Sequence, residues 1–332
     1  MPKNPILITG GAGFIGIHLL RVLVGKYPHY HFVNVDSLTE ASNIKGLDSI
    51  SNHPNYSFYP YDICNKKQME ILFKNYEFEG IIHLAAETHV DKSIVNPSLF
   101  VHSNIVGTVH LLELTKTYCQ QNPSFNRFYH VSTDEVYGHL GPAGSFIESD
   151  PYLPRSPYAA SKAAADHFVK AFHHTYGLPI VLSHCTNNYG PYQSDDKFIP
   201  QIVTNALNKQ PIKVYGKGDN IRDWLFVSDH VEAIDCIFHR GTIGQSYNIG
   251  ADNPINNISL VNKIIHLLES ELNQAQGSFQ KLITHVPDRL GHDFRYALNK
   301  SKITQELNWK PTTRFDDGLK QTIDYYSQNV LT

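Results

Sequence analysis

The order of residues predicts an α/β fold, a doubly wound parallel sheet carrying a smaller C-terminal lobe. Three observations predict it. Short β-rich runs alternate with longer helical stretches through the first half of the 332-residue chain. The first run ends in a cluster of glycines that opens a helix. Beyond about residue 185 the alternation gives way to short pieces punctuated by proline and glycine.

Apolar and β-branched residues mark strands at Ile6–Thr9, His31–Asp36, Ser57–Tyr59, Gly80–Ala85, Phe128–Ser132 and Ile180–His184. Helical spacing marks Phe14–Lys26, Lys66–Asn75, Pro97–Cys119 and Tyr158–Tyr176 between them. The strands lack polar alternation, so both faces of the sheet are expected under helices, which is the parallel arrangement. Pro191, Pro200, Pro211, Gly216 and Gly218 then break the chain into short elements, and Asn/Asp-rich turns are expected near 252–257.

The first strand runs directly into Gly10-Gly11-Ala12-Gly13-Phe14-Ile15-Gly16. Glycines at this spacing allow a tight turn and let the backbone approach a pyrophosphate held on the helix N-terminus. The other reading of such a turn is simple helix packing. Asp36 favours the ligand, because it closes the second strand 20 residues after Gly16. A carboxylate there accepts ribose hydroxyls and repels a 2′-phosphate, so NAD is expected rather than NADP. A Rossmann-type dinucleotide domain is therefore expected over 1–184 plus about 219–249. The substrate-binding lobe would take about 185–218 plus 250–332.

Composition narrows the function classes. Charged residues make up 18%, net charge is −3, and no dense Lys/Arg run exists, so a nucleic-acid footprint is not expected. Cys64, Cys119, Cys185 and Cys236 form no Cys-x-x-Cys pair, which fits a reducing compartment and argues against a zinc site. The 19 histidines show no metal-ligand spacing, so no metal is expected. No apolar run is long enough for a leader or a membrane span, which makes cytoplasm the expected location.

Tyr158-Ala-Ala-Ser161-Lys162 opens a helix, and a spacing of four sets Tyr158 and Lys162 on one face. A neighbouring cation favours the phenolate, which can then take a proton from a hydroxyl as hydride leaves for NAD. Alone, such a pair also reads as a solvated helix face. Thr133-Asp134-Glu135 ends the Phe128–Ser132 strand, at the sheet edge where α/β ligands sit. Two adjacent carboxylates suit acid and base work, since repulsion pushes one pKa up and leaves the other ionised. An acid pair capping the next element is the competing reading.

The glycine loop with Tyr158/Lys162 resembles the extended short-chain dehydrogenase/reductase superfamily and, within it, the dTDP-glucose 4,6-dehydratases. The resemblance runs through Leu84-Ala-Ala-Glu-Thr-His-Val-Asp91, Val131-Ser-Thr-Asp-Glu-Val-Tyr-Gly138, Ser156-Pro-Tyr-Ala-Ala-Ser-Lys162 and Asn187-Asn-Tyr-Gly-Pro-Tyr192. It continues through Asn220-Ile-Arg-Asp-Trp224, Tyr247-Asn-Ile-Gly250 and Asp288-Arg-Leu-Gly-His-Asp-Phe-Arg-Tyr296. It implies that Tyr158 deprotonates the sugar 4-hydroxyl, held by Thr133 and with Lys162 tuning the tyrosine, while C4 gives hydride to NAD. Glu135 then removes the C5 proton, Asp134 protonates the departing C6 hydroxyl, and hydride returns to C6.

The same resemblance implies cofactor contacts from Gly10, Gly13, Phe14, Ile15, Gly16, Asp36, the Asp62-Ile63 pair, Leu84-Ala85-Ala86 and Ser103. It implies sugar contacts from Thr88 and His89, and nucleotide-diphosphate contacts from Asn187, Lys197, Arg222, Arg289 and His292. On residue type alone, His89 reads equally as a bonded loop histidine and each arginine as a surface charge. The family also implies a homodimer through a helical bundle of Pro97–Cys119 and Tyr158–Tyr176, which periodicity alone does not show. Asp36-Ser-Leu-Thr-Glu-Ala-Ser-Asn43 departs from the family pattern and puts the adenosine-loop contacts in question, while Leu290 and His184 also depart. A UDP-glucose dehydratase, another sugar-nucleotide epimerase and a catalytically silent NAD scaffold are the alternatives. The downstream deoxysugar, rhamnose or another, stays open.

Overall fold

The computed structural model describes residues 4–331. Among them the strands are β1 (Pro5–Thr9), β2 (His31–Val35), β3 (Tyr56–Tyr59), β4 (Gly80–His83), β5 (Arg127–Thr133), β6 (Ile180–Cys185), β7 (Asn187–Tyr189), β8 (Ile212–Tyr215), β9 (Ile221–Phe226), β10 (Ser246–Ile249), β11 (Pro254–Asn256) and β12 (Ile283–Val286). The helices are α1 (Phe14–Lys26), α2 (Lys66–Asn75), α3 (Val90–Val95), α4 (Pro97–Phe100), α5 (Thr108–Gln121), α6 (Pro157–Tyr176), α7 (Phe198–Leu207), α8 (Val227–Arg240), α9 (Asn257–Glu271), α10 (Ser301–Leu307) and α11 (Phe315–Leu331).

Seven strands form one sheet in the order β3-β2-β1-β4-β5-β6-β10, parallel throughout. The direction of winding reverses between β1 and β4, and that crevice is where an open α/β sheet binds ligands. Burial explains the strand sequences. Every residue of β1 and β4 is buried, and one apolar cluster lies on each face of the sheet. Leu7 and Ile8 are fully covered, each burial contributing roughly 1.5–3 kcal/mol. A third core around Ile202, Ile264, Leu268 and Ile323 sits under α7, α9 and α11 beside the short sheets β11-β9-β7 and β12-β8.

Local chemistry sets the elements that carry the site. Gly16 is obligatory, since a Cβ there would lie 2.4 Å from the Gly10 carbonyl oxygen. Gly10 has a φ of +75°, and its added Cβ would meet the Ala85 nitrogen at 2.6 Å. For α6, the Ser156 hydroxyl accepts a bond from the Ala159 amide at 3.1 Å, with Pro157 in the first turn. Gly177 ends that helix in the left-handed conformation.

Four sequence expectations shift. The strand expected through Ala85 stops at His83, because its neighbour β1 ends at Thr9, whose carbonyl takes the last ladder bond from the Leu84 amide. Asp36 lies one residue past β2. The segment expected as turns near 252–257 contains β11 and the start of α9. The helix expected over Pro97–Cys119 is α4 and α5 joined by a π-helical segment, Val101–Gly107. Such wide turns often mark functional positions. Here it presents Ser103 to the central cavity, while Asn104 clamps the loop after β4 by bonding the Glu87 amide and carbonyl at 2.8 and 3.0 Å.

Candidate active site

A cavity of about 410 Å³ opens along the crevice at the winding reversal, from Asp36 at one end to Tyr158, Glu135 and Lys197 at the other. Gly13 caps α1 with no side-chain bond, so the first-turn amides are open to an anion. Asp36 is held rigidly there. Its Oδ2 accepts from the Ala12 amide at 3.0 Å, and its Oδ1 accepts from the Leu38 amide at 2.9 Å and the Ser42 hydroxyl at 2.8 Å. The altered 37–42 loop therefore still folds onto the carboxylate, and Ser37, Thr39 and Ser42 line the cavity. An adenosine dinucleotide fits this end, since the glycine cradle leaves room for a pyrophosphate and Asp36 repels a 2′-phosphate.

The catalytic end is assembled from β5 and α6. Thr133 ends β5, and Asp134–Tyr137 form a tight 3₁₀ turn behind it. Tyr158 and Lys162 point from α6 toward the same place, and all five candidate catalytic side chains line the cavity. Lys162 Nζ donates to the Val131 carbonyl at 2.9 Å, which pins the ammonium beneath the strand end. One turn further along α6, Asp166 is fully buried between His130 (3.1 Å) and His184 (3.3 Å) and accepts from the Ser132 hydroxyl at 2.8 Å.

The two carboxylates sit in different surroundings. Burial pushes Asp134 well above the ordinary carboxylate range, and the nearby Glu135 adds to the shift. Its Oδ2 is buried without a hydrogen-bond partner among the described residues. Glu135 is also raised by burial, but the cations Arg222, Arg289 and Lys197 oppose that rise. Mutual repulsion is thus secondary to burial, which the sequence does not display. Tyr158 departs from expectation as well. Burial, then the charge of Glu135, pushes its hydroxyl well above the usual tyrosine range, and a side-chain hydrogen bond with Thr133 pulls the other way.

The polar shell beyond the carboxylates is tightly bonded. Arg289 makes a two-pronged bond to Asp91, Nε to Oδ1 at 2.7 Å and an Nη to Oδ2 at 2.9 Å. Its guanidinium lies 5.0 Å from the centre of the Tyr215 ring. Arg222 is buried, donates to the carbonyls of Ile221, Asp293 and Phe294, and lies 4.4 Å from the Tyr296 ring centre. Lys197 Nζ donates to the Thr88 carbonyl at 3.2 Å. Asn187 lines the cavity with a buried Oδ1 that has no hydrogen-bond partner among the described residues. His89 faces Asp196 at 3.2 Å and His292 faces Asp288 at 2.6 Å.

Comparison with known proteins decides the family. A family model described as GDP-mannose 4,6 dehydratase matches residues 7–322. A probable dTDP-glucose 4,6-dehydratase of Sinorhizobium fredii is 46% identical, covering 98% of this chain and 93% of the relative. The dTDP-glucose 4,6-dehydratase of Neisseria meningitidis is also 46% identical, over 98% of this chain and 93% of its own length. The chain belongs to the dTDP-glucose 4,6-dehydratase family. Among solved structures, the Streptomyces venezuelae dTDP-glucose 4,6-dehydratase with NAD and TYD bound is 39% identical, has a TM-score of 0.89, and covers 98% of this chain and 97% of that one. The Bacillus anthracis dTDP-glucose 4,6-dehydratase in complex with NAD is 40% identical at a TM-score of 0.87, over 98% and 97%.

Against the dTDP-glucose 4,6-dehydratase pattern, the expected residues fall into two groups. Every residue expected on the cofactor side lines the cavity, as do Thr88, Asn187 and Lys197. His89, Arg222, Arg289 and His292 stand outside its immediate walls and are each bonded to other protein groups. Two partners escaped the sequence reading. Asp91 follows the loop after β4, and nothing local ties it to an arginine 198 positions away. Asp166 was detectable as the next turn along the face of Tyr158 and Lys162. Among the described residues no cluster of three His, Cys, Asp or Glu side chains could hold a metal ion, and no helix is long and apolar enough to cross a membrane.

Proposed function

We propose that the chain dehydrates dTDP-glucose to dTDP-4-keto-6-deoxyglucose, with NAD held along Gly10–Gly16, Asp36 and Ser103. Bound NAD would supply the hydride acceptor, and its reduced form the hydride donor, for this chemistry. In this reading Tyr158 takes the proton of the sugar 4-hydroxyl, which Thr133 holds, and Lys162 provides the positive charge that favours the phenolate. Glu135 removes the C5 proton acidified by the C4 ketone. Asp134 gives its proton to the departing C6 hydroxyl, and Glu135 returns its proton to C5.

The observation that carries this reading is the contrast between the adjacent carboxylates. A buried acid with one unpartnered oxygen suits a neutral proton donor, while a carboxylate facing three cations suits a base. The diphosphate would be met by Asn187, Lys197, Arg222, Arg289 and His292, with Thr88 and His89 nearer the sugar. Asp134→Asn and Glu135→Gln variants test the assignment. Both should still reduce NAD with dTDP-glucose but form little 4-keto-6-deoxy sugar, read by its absorbance in alkali. Full turnover by the double variant would overturn it, and the same incubation with UDP-glucose reads the base preference.

The division into 1–184 plus about 219–249 and about 185–218 plus 250–332 is part of this reading, supported by the separate core around Ile202, Ile264 and Ile323. A homodimer seated on α4, α5 and α6 is supported by Leu99, Phe168 and Tyr176, which are exposed there. Sedimentation equilibrium tests it. Cytoplasmic residence is supported by four unpaired cysteines. The keto product would feed 6-deoxyhexoses such as rhamnose.

A further inference from the structure

Residues 190–197, between β7 and α7, lie outside every strand and helix, yet Gln193, Ser194 and Lys197 from this segment line the cavity. Tyr192 has a φ of +65°, in the left-handed region that a tyrosine occupies only when its surroundings impose it. The segment is therefore shaped by contacts from distant parts of the chain, and these come from two sides.

On the cofactor side the anchor is His18 of α1. Its Nε2 donates to the Pro191 carbonyl at 2.8 Å. A carbonyl only accepts, so that nitrogen carries the ring proton. His18 stands one turn along α1 from Phe14, which lines the cavity, and the two rings meet edge to face at 5.8 Å. The other side of His18 meets the Tyr192 ring at 5.7 Å, and the Arg21 guanidinium lies 5.1 Å from the centre of that ring. On the opposite side the anchor is α11. The Tyr326 hydroxyl donates to the Gln193 carbonyl, and the Tyr325 ring lies 4.8 Å from that of Tyr192.

We infer that His18 is a positioning residue that makes NAD and the nucleotide sugar bind cooperatively, acting through segment 190–197. The inference rests on the dehydratase reading above. NAD seated on the first turn of α1 fixes Phe14, and with it the ring of His18 that holds Pro191. A nucleotide diphosphate drawn to Lys197 favours the same docked segment from its far end. Each ligand thus stabilises one shared arrangement, and the coupling is reciprocal. The chemistry gains from it, because the cofactor reduced at C4 must stay in place until its hydride returns to C6.

The test follows release of radiolabelled NAD from the loaded protein into excess unlabelled NAD, with and without saturating dTDP. In the wild type dTDP should slow release about 10-fold, inside the roughly 5–150-fold span of ordinary couplings. His18→Phe keeps the ring contacts and loses the N–H. Its ratio of the two rates should fall to about 2-fold, below that span, whatever its release rate without dTDP. A merely structural defect speeds release equally in both conditions and leaves the ratio unchanged. His18→Gln, which keeps a side-chain donor, should recover most of the ratio. His18→Ala replaces phenylalanine if that variant does not fold. An unchanged ratio in His18→Phe overturns the coupling, as does unslowed release from wild-type protein that binds dTDP by calorimetry. Failure of dTDP to bind the NAD-loaded wild-type protein would instead overturn the dehydratase reading itself.

Discussion

Arg289 grips Asp91 through two parallel N–H···O bonds, and the Tyr215 hydroxyl donates to the same carboxylate at 3.2 Å. Asp91 lies in the first turn of α3, directly after the loop from β4 that lines the cavity, and Arg289 lies after β12. The bond thus ties the segment that follows β4 to the one that follows β12. A forked guanidinium–carboxylate pair fixes orientation as well as position. Replacing Asp91 with Ala frees Arg289 to adopt many rotamers. We expect KM for the nucleotide sugar to rise about 10-fold, or about 1.4 kcal/mol, with kcat changed much less. Steady-state kinetics on both parameters checks it.

The pH profile follows from the carboxylates. In the proposed reaction Glu135 works ionised, so activity is expected to fall as pH drops through its raised pKa. Asp134 works protonated, so activity is expected to fall as pH climbs through its own. The acidic limb of kcat/KM should therefore lie above the usual glutamate range. Lys197→Met removes one cation that holds Glu135 down and should move that limb to higher pH. An unmoved limb would assign it to another group.

Gly16→Ala inserts a Cβ 2.4 Å from a backbone oxygen. Overpacking of this kind costs about 1–3 kcal/mol. The expected outcome is a lower Tm together with loss of NAD that copurifies with the protein, measured by calorimetry and by absorbance after acid release.

Buried histidines set the acid stability. Burial, the largest cause, holds His130 down to about 4 and His230 to about 3. In the unfolded chain both take up a proton near pH 6.5. Between about pH 6.5 and 4 the unfolded state therefore binds more protons than the folded one, so stability falls as pH falls through that window. Each histidine contributes on the order of 3 kcal/mol to that loss. Thermal melts from pH 7 to pH 4.5 should show a steep decline in Tm, which His230→Gln makes shallower.

How much of this was written plainly in the chain depends on distance along it. Gly10–Gly16, Asp36 and the Tyr158/Lys162 pair act through neighbours a few residues away, so spacing alone exposes them. The end of β4 differs by two residues because its neighbour β1, far away in sequence, ends at Thr9 and offers no further ladder partner. The acid–base contrast of Asp134 and Glu135 depends on burial and on Arg222 and Arg289, which arrive from far downstream. For the same reason the sequence cannot reveal that Lys162 spends its hydrogen bond on Val131.

The seventh strand of the main sheet, β10, pairs with β6 although more than sixty residues separate them. On the ribosome, β6 therefore emerges long before its neighbour and stands as a bare edge of unpaired backbone groups. Synthesis at about 5–20 residues per second leaves that edge open for several seconds. A nascent chain halted anywhere between the two strands presents a sticky template to its siblings, and a chaperone that covers it shields a seam that translation order leaves unfinished, as it leaves that of β1 with β4 for longer still.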